Sequence, residues 1–173
     1  MGRPDYRDAL TRMDVLARLA AFDPHVAGTP PLGLALAGSD IDVLCHAPDP
    51  DCFASAVWQA FGGCQGFAMW QWQGGDRPVI ARFEGAGWIF ELFGQARPVA
   101  AQLGWRHFVV ERRLLSIGGA PFARTVRALR EDGLKTEPAF AAALGLAGDP
   151  YQAVLALERL DDRALARIVA RAG

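Results

Sequence analysis

VAGTPPLGLALAGSDIDVLC, residues 26–45, is the stretch on which the reading of the fold turns. From Ile41 to Ala47 (IDVLCHA) it is an apolar run of strand character, bounded by Gly38-Ser39 before and Asp49-Pro50-Asp51 after. Asp40 and Asp42 stand two apart at its start. Side chains at i and i+2 of a strand share a face, so both carboxylates point the same way, about 7 Å apart at the backbone. Val43, Leu44 and Cys45 take the strand into a core, where a carboxylate without compensation is costly. A divalent cation is the simplest compensation. Magnesium takes oxygen ligands and is commonly shared between one or two carboxylates and substrate phosphates. Two acids on one face can also serve a pair of ions about 3.5–4 Å apart. On this pattern alone, a Ser39-Asp40 turn with a solvated Asp42 is an equal reading.

Upstream, residues 5–22 place Leu10, Met13, Leu16, Ala17 and Ala20 on one stripe, which predicts an amphipathic helix stopped by Asp23-Pro24. A short apolar segment, His25 to Gly28, and an extended GLALAG (33–38) lead into the acidic strand. Downstream, Asp49 caps a helix that runs to about Phe61. Three strands follow in meander order, Gly66 to Gln73, Pro78 to Glu84 and Trp88 to Gln95, separated by glycine-rich turns. From residue 99 the pattern is helical, over about 99–117, 121–132, 137–146, 150–158 and 161–171, with Gly118-Gly119, Gly133 and Gly148-Asp149-Pro150 as stops. Strands followed by a run of helices define an α+β chain. We therefore expect one domain over 1–173, with a small mixed sheet and flanking helices in an α/β core over 1–97. A C-terminal helical part over 98–173 packs on it.

The chain has 173 residues, 51% of them apolar and 21% charged, with a formal net charge of -1. That is globular composition, and the charge argues against an extended DNA-binding surface. No apolar run reaches the roughly 20 residues of a membrane span, and the charged N-terminus lacks a signal-peptide core. A cytoplasmic location is the expectation. Cys45, Cys52 and Cys64 show no CxxC pairing, so three reduced, mostly buried thiols are expected. Trp58, Trp70, Trp72, Trp88 and Trp105 are expected in the core or on a sheet face.

An apolar residue before Gly28-Thr29, a spacer, and Asp40-Ile41-Asp42 between apolar neighbours resemble the signature of the polymerase-β-like nucleotidyltransferase superfamily. More narrowly, GTPPLG and GSDIDVLC, FELFGQARPVAAQLGWRHFVVERRLL, and GLKTEPAFAAALGLAGDPY resemble a bacterial domain-of-unknown-function family within it, DUF4269. The resemblance implies the nucleotidyltransferase fold and a magnesium- or manganese-dependent enzyme. Such an enzyme moves a nucleoside monophosphate from a triphosphate, ATP first among them, to a hydroxyl of an unidentified small molecule, protein or RNA. It also implies that Asp40 and Asp42 hold the metals and that a third acid on a neighbouring strand completes the set. Glu91, a lone acid inside WIFELFGQ, fits that place better than Glu84, which abuts a glycine-rich turn.

Gly28 and Thr29 would meet the triphosphate through backbone N–H groups and a hydroxyl. Pro30, Pro31 and Gly33 favour a turning segment in place of the helix that usually follows this motif, so Gly38-Ser39 is the other phosphate-loop reading. Arg106 or His107 could face the phosphates or the acceptor, although His107 and Glu111 are i,i+4 neighbours and a local charge pair is the plainer reading. Lys135, at a helix–helix junction, could reach a phosphate or simply be solvated. Two other functions fit the same pattern: a non-catalytic nucleotide- or protein-binding regulator of antitoxin-like kind, and a metal-dependent phosphohydrolase.

Overall fold

The computed structural model describes residues 3–172. They group into two compact units: residues up to Pro31 with Ala37–Trp105, and Leu32–Leu36 with Arg106 onward.

The first unit is built on a five-stranded mixed sheet. Its strands are β1 (His25–Ala27), β2 (Ile41–His46), β3 (Gln65–Gln71), β4 (Val79–Gly85) and β5 (Trp88–Gln95), in the order β1-β2-β5-β4-β3. β3, β4 and β5 form the expected antiparallel meander, and β5 then lies parallel to β2. Along β5 the side chains alternate strictly: Trp88, Phe90 and Leu92 are buried, while Ile89, Glu91 and Phe93 lie on the half-covered face. The buried face is a phenylalanine stack, Phe61 on Phe83 at 4.6 Å and Phe83 on Phe90 at 5.1 Å between ring centroids. Phe61 comes from α3 (Pro50–Phe61), which starts where Asp49 accepts the N–H groups of Asp51 and Cys52 and Pro50 enters the first turn. Cys45 is buried on β2, and burial pushes its thiol up to about 12.

The N-terminal helix differs from expectation. Asp14 adopts a left-handed conformation (φ 53°), so the segment breaks into α1 (Tyr6–Met13), α2 (Val15–Arg18) and a 3₁₀ turn, Ala20–Phe22. The break rotates the inward face: Ala9, Leu10, Val15 and Leu19 are buried, and Leu16 is exposed. Cys52 is exposed and Cys64 half-buried, so burial of the thiols holds for Cys45 alone. Trp58, Trp70 and Trp72 are also exposed, the last two at and just beyond the end of edge strand β3, whereas Trp88 is buried.

The second unit is helical. It comprises α4 (Leu103–Glu131) from Arg106 on, α5 (Thr136–Ala143), α6 (Pro150–Ala156), a 3₁₀ turn (Leu157–Arg159) and α7 (Asp162–Ala172). At Gly119 (φ 59°, ψ -157°), two residues before Pro121, α4 leaves helical geometry, so the expected Gly118-Gly119 stop is present as a kink between two helical stretches. Val110, Leu114, Phe122, Val126, Phe140, Val154, Leu157 and Leu165 form the core of this unit, together with Leu34. GLALAG joins no sheet; its backbone is held by side chains of α4. Arg127 donates to the carbonyls of Gly33 (2.6 Å) and Ala35, and Arg130 donates to that of Leu34. These bonds satisfy backbone groups that a sheet would otherwise pair. Among the described residues, no helix is long and apolar enough to cross a membrane.

Candidate active site

The parallel register of the two central strands places Asp42 directly beside Glu91. Asp40, just ahead of β2, completes a trio in which one carboxylate oxygen from each residue lies within 4.8 Å of the others. All three side chains are half-buried. Burial raises the Glu91 carboxyl above its ordinary value, Asp40 raises it further, and Arg82 opposes both. Arg82 lies opposite Glu91 on β4, with Nε 3.7 Å from Oε1.

Gly28 follows β1, whose last residue, Ala27, pairs with Asp42. Its φ is +74°, and a Cβ built there would stand 2.2 Å from Asp42 Oδ2. Only a glycine lets the backbone approach this carboxylate so closely. Thr29 beside it is buried, and residues 29–33 turn where the family signature would lead into a helix.

Gly38 and Ser39 open onto a cleft of about 530 Å³, lined also by Arg3, Glu84, Trp88 and Ile89. Glu84 is exposed and borders this cleft, outside the carboxylate trio. Arg3 donates to the Ala37 carbonyl at 2.6 Å and lies over the Trp88 ring, 3.0 Å from its centroid. Asp40 acts on the Arg3 charge as well.

Arg106, His107 and Lys135 belong to the second unit. Arg106 makes a bidentate pair with Glu158, donating Nη2–H to Oε2 at 2.6 Å and Nε–H to Oε1 at 3.1 Å. His107 is buried beside Glu111 and Glu137. Lys135 is exposed at the N-cap position of α5, which starts one residue earlier than the sequence suggested and so draws Glu137 into its first turn.

Sequence reasoning overlooked Arg3, Arg82 and Glu137. Arg82 had a signal: the short turn between β4 and β5 sets the register that puts it across from Glu91.

Solved structures of the nucleotidyltransferase fold share this architecture. A structure of Cid1, described for its RNA terminal uridylyl transferase activity, matches with a TM-score of 0.59 at 17% identity, over 80% of this chain and 45% of that one. The GLD-2/RNP-8 complex matches at 0.58 and 12% identity, over 95% of this chain and 74% of that one. Cid1 bound to the UTP analogue UMPNPP matches at 0.57 and 15% identity, over 83% and 49%. This chain thus spans less than half the length of the Cid1 chains it matches. Its fold is the nucleotidyltransferase fold. Over residues 8–157 it matches the model of a domain of unknown function, DUF4269, and it belongs to that family. No protein of curated function matches it.

Proposed function

We propose that this protein is a divalent-metal-dependent nucleotidyltransferase that moves a nucleoside monophosphate from a triphosphate, ATP first, to an acceptor hydroxyl. The observation that carries this reading is the trio of Asp40, Asp42 and Glu91, whose oxygens lie within 4.8 Å of one another on the central strand pair.

The trio suits magnesium or manganese. Its donors are all carboxylate oxygens, they are half-exposed to an incoming phosphate, and their mutual repulsion is relieved by a cation. When bound, such ions neutralise triphosphate charge and that of the departing pyrophosphate.

The chain's own groups supply positioning. Asp40, just ahead of β2, and Asp42 on it would hold the cation and so position the phosphates. Gly28 brings backbone against the same carboxylate, where its N–H and the Thr29 hydroxyl can meet a phosphate. Glu91, its carboxyl raised above its ordinary value by burial and by Asp40, is suited to accept the acceptor's proton. The acceptor oxygen bonds to the α-phosphorus, the bond to the bridging oxygen breaks, and pyrophosphate leaves with that electron pair. The cleft beside Ser39 and Trp88 offers a seat for the nucleoside or the acceptor.

The test is a screen of all four α-labelled triphosphates, with magnesium or manganese, against cell extract. A labelled product is expected with the wild-type chain. Asp42→Asn should reduce its formation by about 10²–10³-fold, the scale of removing one preorganised electrostatic group, with an unchanged far-UV spectrum. Transfer that survives in this variant refutes the assignment.

A further inference from the structure

A second cluster, in the helical unit, is built from different chemistry. His107 and Glu111 sit i,i+4 on the buried face of α4, and Glu137 projects from the first turn of α5. One nitrogen or oxygen from each lies within 4.8 Å of the others. Here the groups are more deeply enclosed than in the sheet: His107 is 8% and Glu111 4% exposed. Within this burial, His107 Nδ1 and Glu111 Oε1 have no hydrogen-bond partner. A buried polar atom left in that state costs on the order of 1–3 kcal/mol, and more when charged. Proteins rarely keep such groups without something to meet them.

Burial raises the Glu111 carboxyl well above its ordinary value, Glu137 adds to the rise, and Arg130 opposes it least strongly. Arg130 directs an N–H to the Leu34 carbonyl. Arg106 and Glu158, the other charges acting on His107, are paired with each other. The edge of Tyr151 covers the imidazole, with centroids 6.3 Å apart.

We propose that His107, Glu111 and Glu137 form a zinc-binding site that ties the first turn of α5 to α4, independent of the carboxylate trio on the sheet. One imidazole nitrogen with two carboxylates is a donor set for a borderline transition cation; magnesium and calcium take all-oxygen shells. Zinc bonds to such ligands at about 2.0–2.2 Å, which sets neighbouring donors about 3.3 Å apart, a contraction within reach of side-chain rotation from the present spacing. Three protein ligands leave a fourth position for water. Two carboxylates and one cation balance charge where carboxylates alone do not.

Chelator-stripped full-length protein titrated with Co²⁺ and then Zn²⁺ tests this. The expected result is one equivalent of Co²⁺ with the intense visible absorption of a low-coordinate nitrogen- and oxygen-liganded ion, displaced by Zn²⁺, and a rise in Tm on adding Zn²⁺. Both should persist in Asp42→Asn, which separates this site from the sheet cluster. Glu111→Gln and His107→Gln should weaken binding by about 100-fold or more and lose the Tm response. If Glu111→Gln does not fold, Glu137→Gln, at a half-buried position, gives the same reading. Wild-type protein without the visible band or the Tm rise overturns the proposal, as does undiminished Zn²⁺ affinity in Glu111→Gln or Glu137→Gln.

Discussion

Gly28 shows how one residue can hold two constraints at once. It needs a positive φ, and it must present no Cβ to Asp42. A non-glycine residue in the left-handed region costs about 1–2 kcal/mol, and here the new methyl would also push the Asp42 carboxylate away from its neighbours. Gly28→Ala is therefore expected to lower stability by about 1–3 kcal/mol and to weaken Mn²⁺ binding at the trio at least tenfold. Denaturant melts and Mn²⁺ titration monitored by electron paramagnetic resonance check both effects. Unchanged Mn²⁺ affinity would show that Gly28 shapes only the chain. At this scale the acids were legible because a charged residue inside an apolar strand contradicts its surroundings. The role of Gly28 against Asp42 was not, since it depends on the pairing of β1 with β2, which short apolar segments do not specify.

At the scale of elements, strands and caps could be read because their signals are local: period-two alternation in β5, glycine turns, and the Asp49-Pro50 entry to α3. Two elements escaped for the opposite reason. The periodicity of the first helix continues through Asp14, but its left-handed backbone breaks the helix and rotates the buried face. GLALAG reads as extended, yet its carbonyls are taken by Arg127 and Arg130, far along the chain. The kink in α4 has a sharper consequence. Gly119 occupies a region of backbone space that is essentially closed to other residues (φ 59°, ψ -157°). Gly119→Ala should cost about 1–3 kcal/mol, read as a shift of the urea midpoint. A midpoint equal to wild type would mean that the bend relaxes without penalty.

The Arg106–Glu158 pair gives the helical unit a pH signature. The hydrogen bond from Arg106 holds the Glu158 carboxyl below its ordinary 4.5. A lowered folded-state value means that the pair's contribution is present above about pH 4.5 and is lost as pH falls through that lowered value. Glu158→Gln should therefore reduce stability at pH 7 and make the acid limb below pH 4.5 shallower than in wild type. The effect is small, because about a third of each side chain remains open to solvent, which screens the pair. Chemical denaturation at pH 7, 5 and 3 measures it, and parallel wild-type and variant curves would exclude the linkage.

For the whole molecule, the order of strands and helices was enough to indicate the α+β class, and the Asp-x-Asp signature narrowed it to the nucleotidyltransferase fold that the solved relatives share. Which tryptophans are exposed was not legible, although Trp88 in the core and Trp70 on a sheet strand fit expectation. Trp70 and Trp72 are exposed because β3 ends the sheet, and edge position is decided by strand order. Net charge bears on partners. With a formal charge of -1, the molecule lacks the broad electrostatic attraction that dominates nonspecific nucleic-acid binding. Mixed-sequence single-stranded RNA is expected to bind no more tightly than about 10⁻⁴–10⁻⁶ M at physiological salt. Fluorescence polarisation measures this, and nanomolar affinity would show a concentrated basic surface that the total charge conceals.

The parallel pairing of β2 with β5 also sets an order of events in time. Asp42 and Glu91 are neighbours in the sheet, yet α3, β3 and β4 lie between them in the chain. A growing polypeptide therefore presents two aspartates long before their glutamate exists, and closing so wide a loop onto a parallel partner is among the slower steps of folding. The three oxygens converge only when the centre of the sheet is complete. A luminescent lanthanide seated among them would act as a clock, silent on the nascent chain and lit at the moment the native sheet closes.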